Sequence, residues 1–298
     1  MLKPILAFST IFAMLAPAHA KTPRVVTDIA PIYSLALQVM GNSDDLTLLM
    51  DQTADPHDFA FRPSQASALQ GADIVIFTGY DLTPWLEKPL QNLATNSVLL
   101  PLLDAPKTIH HDMRENNAFD HETSHEHHHT DPHAWLDPEN AIYWLEQIYI
   151  NISALDPENI TKYKNNAMIA QQNIRTLSAE ITQQLVPLND TKILFFHDAY
   201  QYFESRFKLN AVGAITLADG SKLSPKQLKA VQSLFTDHDI KCVLTEPAAK
   251  SAWINDLARR PVKQASLDPL GSTLPLDKQF YRALLTNTAN QITSCTQS

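Results

Sequence analysis

Residues 157–185 place Tyr163, Ile169, Ile174, Leu177 and Ile181 at near-helical spacing, with no glycine and no proline after Pro157 to interrupt them. Asp156-Pro157 supplies a capping side chain and a proline suited to a first helical turn. A helix of that length runs on the order of 40 Å, long enough to lie along two domains. It therefore reads as a rigid spine rather than a linker.

Both flanks of this helix carry the same rhythm. Before it come strand-like runs near residues 25–27, 46–50, 74–78 and 98–100, separated by helical patterns at 32–40, 64–70 and 83–94. After it come strands near 193–196, 211–216 and 243–244, with helices at 224–237, near Ala252 and at 276–293. Such alternation predicts βαβ units and parallel sheets. The expected fold class is α/β, with two lobes, each a parallel-type sheet flanked by helices, joined by a long rigid backbone helix. The division is residues 21–138 for the first lobe, 139–188 for the helical segment with the long linker helix, and 189–298 for the second lobe. The halves share a rhythm but no sequence repeat.

Residues 1–20 combine one early positive charge at Lys3, an apolar run, and Ala18-His19-Ala20 in the small-x-small cleavage pattern. The expectation is a signal peptide cleaved after Ala20. The alternative of a membrane anchor fits poorly, because the run falls short of the ~20 residues needed to span hydrocarbon. Removing it leaves 22 basic and 32 acidic residues, a formal charge of −10. Such a surface argues against nucleic acid and anionic lipid as partners. After export, the distant pair Cys242 and Cys295 reads as a disulfide between a strand and the last helix; two separate buried thiols are the alternative.

Residues 109–129 abandon apolar periodicity and hold seven histidines, His110, His111, His121, His125, His127, His128 and His129. A tract this polar has little to bury against its ordering entropy and reads as a mobile loop. Outside it and the first 20 residues only His57, His133, His197 and His238 remain. His57 lies in Asp55-Pro56-His57, His133 in the echoing Asp131-Pro132-His133, and His197 directly after an apolar run. All three stand where a strand or turn gives way to a helix, and in parallel sheets the carboxyl ends of the strands form the ligand crevice. Three imidazoles with one carboxylate satisfy tetrahedral Zn²⁺, and Asp268, after the run 265–267, is the candidate carboxylate. No spacing rule links these residues, so each taken singly reads first as a hydrogen-bonded turn residue, and the residues alone stop at a candidate metal cleft.

The motifs Asp-Pro-His-Asp-Phe with Arg62-Pro63-Ser64 behind it, the His-rich tract, Asp-Pro-His-Ala-Trp-Leu-Asp-Pro, Phe-His-Asp-Ala-Tyr, Thr245-Glu246-Pro247 and Leu-Asp-Pro-Leu-Gly occur in this order. Together they resemble the metal-binding proteins of cluster A-I ABC transporters, of the zinc-uptake type, over almost the whole chain after residue 20. The resemblance implies two α/β lobes on one long helix, with a metal buried between them and little hinge motion. It also implies His57, His133 and His197 as ligands, with Asp268 at the fourth position, where zinc members vary and another carboxylate or a water is the alternative. Manganese-selective relatives carry Glu where His197 stands, and imidazole favours the softer ion. Further implications are a periplasmic protein, a lone subunit in solution, that delivers Zn²⁺ to a membrane permease with a cytoplasmic ATPase. A disulfide in the second lobe fits Cys242 with Cys295. The chain departs from the pattern at residues 50–54, where Met-Asp-Gln-Thr-Ala replaces a glycine-bearing turn.

Within the tract, residues 121–125 and 125–129 both match the His-Glu-x-x-His pattern of zinc proteases, which works only on a helix. No apolar face is present to hold one, so weak auxiliary zinc binding by the tract is the expectation. Two other readings remain. A zinc hydrolase would use Glu246 or Asp198 as base at an open metal position, and a manganese-binding or adhesion-associated relative would differ in metal preference.

Overall fold

The computed structural model describes residues 22–57, 59–114, 117–118, 130–218, 223–247 and 251–297. The expected signal peptide lies outside the described residues, as do His121, His125, His127, His128 and His129 and both protease-like matches.

The first lobe is built from β1 (Val25–Thr27), α1 (Ala30–Met40), β2 (Leu46–Leu48), α2 (Pro63–Gly71), β3 (Ile74–Phe77), α3 (Glu87–Leu93) and β4 (Val98–Pro101). Two helices follow, α4 (Pro138–Leu155) and α5 (Ile160–Leu185). The second lobe contains β5 (Lys192–His197), α6 (Gln201–Phe207), β6 (Asn210–Thr216), α7 (Pro225–Asp237), β7 (Cys242–Thr245), α8 (Ser251–Ala258), β8 (Gln264–Ser266) and α9 (Phe280–Gln297). The two sheets run β2-β1-β3-β4 and β6-β5-β7-β8, and every pairing within them is parallel. The lobes therefore share one topology, which the shared rhythm of the sequence reflects. Strand β3 and the inner part of β5 are buried, as both faces of a helix-covered parallel sheet require.

The spine begins as a 3-10 turn at Pro157–Asn159 and continues as α5. Asp156 holds that start, accepting from the Tyr163 hydroxyl at 2.6 Å and the Asn159 amide at 2.8 Å. Tyr163, Ala167, Ala170, Ile174, Leu177, Ile181 and Leu185 form its buried stripe. Ile169, expected in that stripe, is instead exposed. The stripe uses Ala167 and Ala170 there, small side chains that let α5 lie close to its neighbours α1 and α4. Farther along, α5 packs on α6 and α9 of the second lobe. One apolar cluster consequently runs through both lobes, from Ile32 and Trp144 through Ile174 to Phe203 and Leu285.

One expected boundary moves and one helix is new. Helix α9 starts at Phe280 rather than near residue 276, because Asp277 closes a turn by accepting the Gln279 and Phe280 N–H groups. Helix α6 was not foreseen; it ends at Lys208 in the left-handed conformation (φ 55°). Cys242 at the head of β7 and Cys295 on α9 are disulfide-bonded, with Cα atoms 5.8 Å apart.

Candidate metal centre

The echo between Asp55-Pro56-His57 and Asp131-Pro132-His133 is a structural one. In each, the aspartate side chain accepts the histidine's backbone N–H two residues on, at 2.9 Å for His57 and 3.0 Å for His133. This is the local turn that short acidic side chains favour, and proline fixes the residue between. The first turn follows β2 and is pinned by the Trp85 indole N–H donating to the Pro56 carbonyl at 2.9 Å. The second is pinned across the lobes: Trp135 donates to the Pro269 carbonyl at 2.8 Å, and the Tyr281 hydroxyl on α9 donates to the Trp135 carbonyl at 2.6 Å. His197 is the last residue of β5, at the carboxyl edge of its sheet.

These elements bring His57, His133 and His197 together, with ligand-capable atoms all within 4.8 Å of one another. Their ring centroids are 5.2 to 6.0 Å apart. For Zn–N bonds of 2.0–2.1 Å, tetrahedral geometry places nitrogens about 3.3 Å apart. The cluster is thus assembled but needs its widest separation to contract by about 1.5 Å around an ion of that size. Among the described residues this is the group of histidines, cysteines and carboxylates that could hold a metal. It opens on a cleft of about 510 Å³ lined from both lobes.

Two of the rings carry a carboxylate partner. Asp131 Oδ1 lies 2.8 Å from Nδ1 of His133, and Glu246 Oε1 lies 2.8 Å from Nδ1 of His197. A carboxylate on Nδ1 favours the tautomer that leaves Nε2 with its lone pair toward a metal. The environments then diverge. Burial holds His133 well below its ordinary value of 6.5 and the nearby His197 adds to this, so His133 is neutral. Burial also lowers His197, but the hydrogen bond to Glu246 and its charge override it and raise the imidazole. Nε2 of His197 meets the Ala218 carbonyl at 3.3 Å, a contact a protonated ring makes and a metal-bound ring gives up. Beneath the site, burial pushes Asp131 up to about 7 and Asp198 up to about 6.

Asp268 lines the same cleft but lies outside the histidine group. Its oxygens accept the N–H groups of Leu270, Gly271 and Ser272 at 3.0, 2.9 and 2.6 Å, and the Ser272 hydroxyl as well. The carboxylate builds the turn after β8. Glu246, weighed in the sequence only as a possible base, is the acid on the His197 ring; 49 residues separate the two, and no spacing signal joins them. Asp198 is held by Arg114 at 3.0 Å. Neither acid stands over the cleft as a bare base. Of the tract histidines, His110 is exposed and the His111 ring packs on Tyr202 at 4.6 Å, where burial lowers it; neither joins the cluster.

The family model for ZnuA, the periplasmic component A of the zinc-uptake complex, matches residues 25–295. The chain belongs to the ZnuA family. The high-affinity zinc uptake system protein ZnuA of Paracoccus denitrificans is 35% identical, over 94% of this chain and 93% of its own length. Its counterpart in Yersinia pestis is 31% identical over the same shares. In fold, the chain superposes on the crystal structure of ZnuA with a TM-score of 0.77, 20% identity, and coverage of 93% of this chain and 100% of that one. It superposes with a TM-score of 0.79 on the binding protein FpvC of Pseudomonas aeruginosa in complex with Mn²⁺, at 21% identity and coverage of 93% and 99%. Membership of the ZnuA family accords with the two-lobed α/β architecture and the single long helix.

Proposed function

We propose that this protein captures Zn²⁺ between its lobes through His57, His133 and His197 and delivers it to an ABC-type membrane permease powered by a cytoplasmic ATPase. It does so in the periplasm, after removal of residues 1–20. The observation that carries this reading is the convergence of three imidazoles from both lobes in the cleft, two of them oriented through Nδ1 by a carboxylate. Three nitrogen donors suit zinc better than a hard, oxygen-seeking ion such as Mn²⁺. Asp268, expected as the fourth donor, is committed to its own turn, so the fourth position faces the cleft and takes a solvent oxygen. The seven tract histidines act as a weaker auxiliary store. A solute-binding role needs no positioned base, which accords with Glu246 and Asp198 both being engaged.

The test is a competitive zinc titration of protein lacking residues 119–129, beside the same form carrying His133→Ala. One tight site retained on deletion and lost on the histidine change supports the interlobe centre. Tight binding lost with the deletion alone overturns it. Mn²⁺ competing on equal terms in the same assay would overturn the metal assignment.

A further inference from the structure

The polar tract does not leave the fold at its first residue. Ile109 and Asn140 on α4 exchange two hydrogen bonds, at 2.7 and 3.1 Å, which root the segment beside the first lobe. From there the chain crosses to the second lobe. The His111 N–H donates to the Tyr202 hydroxyl on α6 at 3.1 Å, and that hydroxyl donates to the Asp131 carbonyl at 2.9 Å. Arg114 then donates to Asp198 at 3.0 Å and to Glu204 at 2.8 Å. Asn117, buried within a stretch that composition reads as solvated, donates to the Ala214 and Ile215 carbonyls at 3.1 and 2.8 Å. The Ala214 N–H donates back to the Asn117 carbonyl at 2.9 Å, and Ala118 bridges Gly213 in antiparallel fashion. The segment thus covers the outer edge of β6, the edge strand of its sheet.

Its ties fall on the neighbours of two metal-site histidines. Asp131, whose N–H donates to the His111 carbonyl at 2.8 Å, is the carboxylate on His133. Asp198, fully buried, directly follows His197, and its own N–H donates to Thr216 at 3.0 Å. One short strap therefore grips the first lobe's ligand through Asp131 and the second lobe's ligand through Asp198. Arg114 bridges two carboxylates with two different nitrogens, a fork that a lysine cannot reproduce.

We propose that Arg114 is a positioning residue for the metal centre: carried on the strap formed by residues 111–114 and 117–118, it holds Asp198, and through it His197, at a fixed separation from His133. This rests on the three-histidine reading above. Groups that orient metal ligands cost about 10–100-fold in affinity when removed. Arg114→Ala is expected to weaken zinc binding by that factor, chiefly through faster dissociation into a competing chelator. Co²⁺ loaded in place of zinc reports the geometry, since tetrahedral Co²⁺ absorbs visible light strongly and higher coordination weakens the band. Arg114→Ala should weaken and shift that band, and Arg114→Lys should restore it only in part. Glu204→Ala, which removes the leg of the tie remote from His197, should lower thermal stability and leave the band unchanged. Should Arg114→Ala not fold, Arg114→Lys carries the same comparison. A band and affinity unchanged in the Arg114 variants, with only the melting temperature moved, overturns the proposal. His197→Ala is measured in parallel: tight zinc binding retained there overturns the three-histidine reading instead.

Discussion

Asp131 holds His133 twice, by the backbone N–H at 3.0 Å and by ring Nδ1 at 2.8 Å. One oxygen, Oδ1, makes both contacts, so the turn that presents the histidine and the tautomer that arms it share a cause. Asp131→Asn keeps an acceptor for the turn but loses the charge behind the ring, and Asp131→Ala loses both. The expected order of zinc affinity is wild type, then Asn, then Ala, with the alanine form about 10–100-fold weaker. Competitive titration checks it, and equal affinities for all three would refute the role assigned to the carboxylate.

Proton release follows from the two imidazole environments. His133 is held neutral by burial and has no proton to give up. His197 is raised above 6.5 despite its burial, because Glu246 favours the charged ring. A metal at Nε2 must displace that proton, so affinity falls as pH drops through the raised value, and up to one proton is released per zinc below it. Above that value the release vanishes. The same group alone stabilises the metal-free fold below 6.5 and loses this contribution as pH rises through its folded value, whereas neutral His133 costs stability as pH falls below 6.5. Calorimetry in buffers of different ionisation enthalpy counts the protons; zero release at pH 6 would contradict the protonated state.

Asp268 and the histidines separate in a second titration. Asp268→Asn retains an acceptor for the turn after β8 and should change zinc affinity by less than about threefold, whereas a lost metal donor or its orienting partner costs tenfold or more. A tenfold loss would make Asp268 a ligand after all.

Gly213 lies where the strap meets β6, and a Cβ there would collide with the Asn117 carbonyl and approach Leu234 Cδ1 to 2.6 Å. Gly213→Ala therefore pushes the strap off the strand edge, at a cost of about 1–3 kcal/mol for overpacking. Denaturant melts and the rate of proteolytic cutting near residue 118 should both report it. Unchanged cutting would mean the backbone yields elsewhere.

Reduction of Cys242–Cys295 reopens a loop spanning 53 residues. In the chain-entropy view this costs about 4 kcal/mol of stability. Cys242 begins β7 while Glu246 follows its far end, so zinc stoichiometry should survive reduction under conditions where the fold persists. Loss of the tight site in folded, reduced protein would show that the staple reaches the cleft.

What was legible in the chain follows the range of the forces that wrote it. His57 and His133 announce themselves because an Asp-Pro-His turn is a local construction, complete within three residues. His197 is readable because it ends an apolar strand. Glu246 and Arg114 are not, since their contacts with His197 and Asp198 join residues 49 and 84 apart with no periodicity between them. Composition misleads at Asn117, where a polar residue is buried because a strand edge offers carbonyls to its amide. At Asp268 the carboxylate also serves N–H groups of its own turn, a local use that its place after a strand does not announce. Helix α6 is too short, at seven residues, to display a repeating stripe.

The apolar cluster that passes from α1 to α9 joins both lobes through one shared core. Proteins that fold shut over a ligand can free it by reversing the same swing. On the three-histidine reading the route out would be a sequence of bond exchanges at three imidazoles, and the dwell time of the ion a chemical quantity rather than a mechanical one. A recipient would gain the cargo by loosening individual rings or offering rival donors, so that unloading is timed by the receiver and idle protein leaks little.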